Sequence, residues 1–108
     1  MTVKNLTVDN FEEEIVDSEL PVIIDFYADW CGPCQMMKPV FANLSEEYEN
    51  KLKFMKLDTQ SEQGLAMKFG IQGIPALVIV KNQKEIGRIV GFLGEDQLRI
   101  KINEILEK

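Results

Sequence analysis

The chain has only two cysteines, Cys31 and Cys34, set in Trp30-Cys31-Gly32-Pro33-Cys34. Two thiols at this spacing can bridge and reopen with little backbone movement. In the first turn of a helix, residues three apart have Cβ atoms ~5–6 Å apart, a little wider than the ~3.5–4.5 Å of a disulfide. At a helix N-terminus a thiol also meets unpaired amide donors and the positive end of the helix dipole, and both favour the thiolate. Bringing a thiol pKa from ~8.5 to near neutrality takes on the order of 2 kcal/mol. A dipole contribution of ~0.3–1 kcal/mol with one or two hydrogen bonds supplies that. The chemistry of such a pair is exchange with other disulfides. The plainer alternatives are two ordinary reduced thiols, or half of a zinc site that a second chain completes.

The chain contains no histidine, which removes a Ser-His-Asp or Cys-His nucleophile, a His-ligated metal and an imidazole base. Proton transfer near neutral pH must then fall to a cysteine, a lysine or a perturbed carboxylate. Asp25 is the candidate carboxylate. It lies six residues before Cys31 in the apolar run Val22-Ile23-Ile24-Asp25-Phe26-Tyr27-Ala28, where burial should raise its pKa into a range useful for proton exchange. It reads as the base that deprotonates Cys34, directly or through a water, or more blandly as a solvated or paired acid at a strand end. Lys56 is its candidate charge partner, or else a surface lysine. Cys31, at the strand-to-helix junction, is the reachable nucleophile, and Cys34, one turn in, is the resolving thiol. Pro33 fits a first helical turn, where its missing donor costs nothing, and Gly32 leaves the approach open. Trp30 reads either as an apolar lip for a docking partner or as simple packing.

Hydrophobic periodicity supplies the elements that must hold these residues. Val3–Leu6 is a short strand candidate. Asp9 with Glu12 resembles a capping box, followed by Phe11, Ile15 and Val16 on one helical face through about Asp17. The run from Val22 has the near-continuous apolar character of a central strand covered on both faces. From Cys34, Met37, Phe41, Leu44 and Tyr48 recur at helical spacing as far as Asn50, with Pro39 predicting a kink. Leu52–Asp58 alternates, with Leu52, Phe54 and Lys56 on one face and Met55 and Leu57 on the other. A short helix follows, with Thr59 and Glu62 near its start, Leu65 and Phe69 inward, and Gly70 as its stop. Ala76–Lys81 and Lys84–Val90 form a hairpin about Asn82-Gln83, a turn whose type stays open because Gln tolerates positive φ poorly. Leu98, Ile102, Ile105 and Leu106 mark a last helix, which Lys108 suits at its C-terminus. The order βαβαβα followed by ββα predicts an α/β fold: a mixed sheet between helices, a three-layer sandwich.

At 108 residues the chain reads as a single domain, 1–108, and its 45% apolar content is enough to bury a core. A net charge of -6 disfavours nucleic acid and anionic membrane surfaces as partners. The segment Met1–Asn5 has neither a basic head nor an apolar stretch, which leads to a cytoplasmic expectation.

Asp25-Phe26-Tyr27-Ala28-Asp29-Trp30-Cys31-Gly32-Pro33-Cys34, with Gly73-Ile74-Pro75 some forty residues on and Val90-Gly91 after it, closely resembles the thioredoxin family, and the likeness covers essentially the whole chain. That resemblance implies the thioredoxin fold, with a five-stranded mixed sheet and four helices. It implies a protein-disulfide reductase in which Cys31 attacks a substrate disulfide and Cys34 resolves the mixed disulfide, forming the Cys31–Cys34 redox disulfide. It further implies a cis Pro75 beside the sulfurs, although only ~5–6% of X-Pro bonds are cis and spacing alone gives no support for one here. Ile74 and Gly91 complete a groove for substrate backbone, with Trp30, Gly32, Pro33 and Pro75 as further substrate-binding positions, and proton handling carries over to Asp25 and Lys56. The implied partners are disulfide-containing proteins and a separate thioredoxin reductase. No cofactor, metal, nucleic acid or membrane is expected, and the chain is expected to act as a monomer. Tyr27, Gln35, Ala76 and Phe92 depart from the commonest family pattern, at positions that bear on substrate choice and redox potential.

Three other readings stand beside the reductase. A dithiol oxidant or isomerase would use the same fold with a more oxidising pair. A binding module would use Trp30, Ile74 and Phe92 with incidental cysteines. A zinc protein would need two chains to gather four thiolates.

Overall fold

The computed structural model describes residues 3–108, so Met1 and Thr2 of the N-terminal segment read above lie outside the described residues. Five strands, β1 (Lys4–Asn5), β2 (Val22–Tyr27), β3 (Lys53–Asp58), β4 (Ala76–Lys81) and β5 (Lys84–Val90), form one sheet in the order β1-β3-β2-β4-β5. β1, β3 and β2 run parallel, while β4 is antiparallel to both β2 and β5. β2 is therefore flanked on both sides, and every one of its residues is buried, as its apolar run predicts. The shortest strand, β1, lies at one margin and the hairpin strand β5 at the other.

Side-chain alternation along the strands divides the core in two. Ile23, Phe54, Leu77 and Ile79 pack against Met37, Phe41 and Leu44 of α1 (Gly32–Glu47) and Leu98 and Ile102 of α3 (Glu95–Leu106). On the other face Ile24, Phe26, Met55, Leu57 and Val78 pack with Ile15 of the first helical turn and Leu65 of α2 (Gln63–Lys68). This is the expected three-layer α/β sandwich. No helix among the described residues is long and apolar enough to cross a membrane.

The first helix is one turn wide, Glu12–Val16, and of π type: the Asp17 N–H bonds back to Glu12 O at 2.9 Å, five residues earlier. The Asp9–Glu12 capping box does not form. Asn10 organises the approach instead, its Oδ1 accepting the Thr7 N–H at 2.8 Å and its Nδ2 donating to Asn5 O at 2.9 Å. Glu14, which the sequence did not single out, is 8% exposed and ties this turn to the sheet: Lys53 Nζ donates to its carboxylate at 2.8 Å and to its backbone oxygen at 2.9 Å, and Lys4 Nζ donates at 3.3 Å. The lysine ammoniums hold its carboxyl below the usual range, against the opposing effect of burial.

Other boundaries shift by a few residues. α1 starts at Gly32, as the junction at Cys31 and a first turn containing Pro33 implied, continues through Pro39 and ends at Glu47 rather than near Asn50, which lies beyond it at φ 67°. α2 begins only at Gln63, because Thr59 Oγ1 donates to Tyr27 O at 3.0 Å and so belongs to the end of the sheet rather than to a cap. α3 ends at Leu106, so Lys108 lies past its last turn. In the hairpin both Asn82 (φ 53°) and Gln83 (φ 68°) are left-handed, the I′ arrangement whose twist matches that of the strands. The ladder between β4 and β5 shifts register between Ile79, which faces Gly87, and Val80, which faces Glu85.

Candidate active site

β2 delivers the chain to the buried Ala28 and then to a tight corner, where the Cys31 N–H bonds to Ala28 O at 3.2 Å. Cys31 is the N-cap of α1, in extended conformation (φ −91°, ψ 114°), and its Sγ accepts the Cys34 N–H at 3.2 Å. A cap normally uses a side-chain oxygen for this bond. Here the sulfur takes that place, so a free amide of the first helical turn is directed at the atom that would carry the negative charge of a thiolate. Pro33 occupies the first turn, as expected. Gln35 Nε2 donates to Asp29 O at 3.2 Å and braces the outer side of the corner.

Cys31 and Cys34 form a disulfide, with Cα atoms 5.2 Å apart. Cys34 is fully buried and Cys31 is 5% exposed, which leaves Cys31 as the sulfur nearer solvent. Both pack with Tyr27, Ala28 and Ile74. The Ile74–Pro75 peptide bond is cis, and Ile74 O lies 3.9 Å from Cys31 Sγ. Pro75 O accepts the Gly91 N–H at 2.8 Å, and Gly91 sits at φ 95°, a conformation that favours glycine. The fold thus brings Cys31, Cys34, Ile74, Pro75 and Gly91 to one place from segments up to sixty residues apart. Around them Gly32 and Pro33 are exposed, Trp30 is 71% exposed and Phe92 is 37% exposed. Simple packing of Trp30 is therefore the wrong reading of that residue.

Asp25 lies on the α1 face of β2, two residues from Ile23, and is 2% exposed. Its Oδ1 has no hydrogen-bond partner among the described residues. Burial pushes its pKa up to about 7, and the ammoniums of Lys38 and Lys56 act in the opposite sense. Lys56 is the direct register partner of Asp25 on β3, as the alternation of that strand implied. The sequence reading missed Lys38, whose influence on Asp25 is the larger of the two. Its half-buried side chain carries Nζ 5.3 Å from the centre of the Tyr27 ring. Helical spacing could have located it, since Lys38 follows Cys34 by four residues.

A strand-to-helix corner that caps its own helix with one member of a CxxC pair, fed by a strand that buries a carboxyl poised near neutrality, defines a thiol–disulfide oxidoreductase. The thioredoxin family model matches residues 2–104. A thioredoxin of Porphyra purpurea is 35% identical over 106 residues, covering 98% of this chain and 99% of the relative. A thioredoxin of Synechocystis is 40% identical over 97 residues, 90% of this chain and 91% of the relative. Thioredoxin 1 of Nostoc is 37% identical over 103 residues, 95% and 92% respectively. The chain belongs to the thioredoxin family, and it reduces protein disulfides by dithiol–disulfide exchange through Cys31-Gly32-Pro33-Cys34.

Proposed function

We propose that this chain is a monomeric, single-domain, cytoplasmic dithiol reductant in which each site residue has a defined part. The Cys31 thiolate attacks one sulfur of a substrate disulfide, forming a mixed disulfide and expelling the other substrate sulfur as thiolate. Asp25 accepts the proton of Cys34. The Cys34 thiolate then attacks Cys31 Sγ, closing the Cys31–Cys34 bond and releasing the second substrate sulfur, and the proton held by Asp25 passes on to a departing thiolate. Two electrons move from the dithiol to the substrate, and a separate thioredoxin reductase returns them. Lys56 tempers the carboxyl of Asp25. Trp30, Gly32, Pro33, Ile74, Pro75 and Gly91 form the surface on which substrate backbone lies.

The observation that carries this division of labour is the N-cap bond from the Cys34 amide to Cys31 Sγ, which stabilises charge on Cys31 and not on Cys34. Reduction of insulin by dithiothreitol, followed as turbidity, tests it. Cys31→Ser should abolish catalysis, whereas Cys34→Ser should accumulate a mixed disulfide through Cys31 that is visible by intact-mass measurement. Iodoacetamide at neutral pH should label Cys31 much faster than Cys34 in the reduced protein. Equal, slow labelling of both overturns the assignment.

A further inference from the structure

The geometry points to Lys38 as a positioning residue of the exchange reaction: its ammonium, held over the Tyr27 ring, keeps the Asp25 carboxyl able to accept a proton. This rests on Asp25 being the acceptor for Cys34.

Three placements support it. Lys38 follows Cys34 by four residues on α1 and is therefore on the same side of the helix, one turn further along. Its Nζ is 5.3 Å from the Tyr27 ring centre, within the ~6 Å over which a cation and an aromatic face attract. Tyr27 and Asp25 are two residues apart on β2 and so share the face against which α1 packs. The ring thus acts as a seat that fixes a positive charge above the strand, on the helix side of the buried acid.

The surroundings of Asp25 leave few other charges for the task. β3 contributes Lys56 at the opposing register position, and β4 contributes the apolar Leu77. On β2 itself Tyr27 stays neutral, its hydroxyl pushed above its usual range by burial and by Asp58, Asp29 and Asp25. On α3, Arg99 pairs with Glu47, Glu95 and Asp96, and Lys101 and Glu104 are exposed to solvent. α1 contributes Cys34 and Lys38. Desolvation alone would hold the proton on an acid this buried, and an acid that never ionises accepts nothing. Lys38 acts against desolvation from the helix side and Lys56 from the neighbouring strand.

The test is a carbon-13 titration of the Asp25 carboxyl in the oxidised protein, for wild type, Lys38→Met and Lys38→Arg. Lys38→Met should move the midpoint upward by roughly half a unit to one unit, the effect of removing one screened charge near a buried acid. Lys38→Arg should restore it. In stopped-flow measurements, the acid limb of the Cys34 attack on the mixed disulfide should move to higher pH by the same amount in Lys38→Met. The half-buried position of Lys38 makes all three proteins foldable. An unchanged Asp25 midpoint in Lys38→Met overturns the proposal, as does an equal shift in Lys38→Arg, which would trace the effect to packing rather than charge. Asp25→Asn separates the two levels of the argument. If its acid limb persists, Asp25 is not the acceptor, whatever Lys38 does to the carboxyl.

Discussion

Asp25 and Lys56 face each other in the parallel register of β2 and β3, yet Asp25 Oδ1 accepts no hydrogen bond among the described residues. The pair interacts electrostatically without forming a salt bridge among the described residues. A closed ion pair would pull the acid well below neutrality and fix the carboxylate, whereas an unpaired buried acid near neutrality can gain and lose a proton during turnover.

That arrangement has a cost in stability, with a definite sign. The folded pKa of Asp25, about 7, lies above its ordinary value of 3.8, so the folded state binds the proton more tightly than the unfolded chain. Its contribution is fully present below the unfolded pKa and is lost as pH rises through about 7. Asp25→Asn should therefore make the oxidised protein more stable at pH 8, by on the order of 4 kcal/mol, and flatten the decline between acid and neutral pH. Urea melts across that range measure it, and equal stability of the two proteins at pH 8 contradicts the buried acid described above.

Glu14 has the opposite linkage. Its folded pKa is lowered by Lys53 and Lys4, so its stabilisation is present above the ordinary carboxylate pKa and disappears as pH falls through the folded value. Glu14→Gln should cost ~1–3 kcal/mol at neutral pH, the range for a charge-assisted hydrogen bond that leaves a partner unsatisfied. The difference from wild type should vanish in strong acid. Thermal melts of both proteins over an acid pH series check the sign as well as the size.

Gly87 stands where β5 passes α3. A Cβ there would lie 2.6 Å from Ile105 Cγ2 and 2.7 Å from its Cγ1 and Cδ1. Ile105 is β-branched and 8% exposed, so it cannot swing aside freely. Gly87→Ala should lose ~1–3 kcal/mol by overpacking while insulin reduction at low temperature is retained. An unchanged melting temperature would show that α3 gives way instead.

Trp30 is the residue for which function and stability separate most cleanly. With 71% of its surface exposed it contributes little to the core, so Trp30→Ala should leave the melting temperature near that of wild type. As a docking residue it should lower kcat/KM for a protein disulfide by ~5–30-fold, corresponding to ~1–2 kcal/mol of lost contact. A small disulfide that cannot reach the ring should show far less change. Equal losses for both substrates would assign Trp30 to the chemistry rather than to docking.

The sequence discloses most where one physical constraint dominates. The unbroken apolar run of β2, the alternation that placed Lys56 on the Phe54 face, and the two cysteines at a strand-to-helix junction each admit few arrangements. It discloses least where several polar groups compete for the same backbone donors. Asp9 and Asn10 are both good caps, and Asn10 prevailed by bonding Thr7 and Asn5 together. Thr59 looked like a helix start because its bond to Tyr27 O depends on β2 and β3 being adjacent. Lys38 and Glu14 were missed for a related reason: charged residues on helical segments read as solvated until the face opposite them is known.

The margins of the sheet carry a last consequence. An uncapped strand edge is a template on which another chain can stack, and fibrils grow in that way. β1 offers two residues, too few to seed such growth. β5 is longer, but its register shift twists the ladder, and it carries Lys84, Glu85 and Arg88, whose Arg88–Glu85 bridge lies at 2.7 Å. Because the shift and the charges lie away from the cysteines, protection against stacking persists whether the dithiol is open or closed.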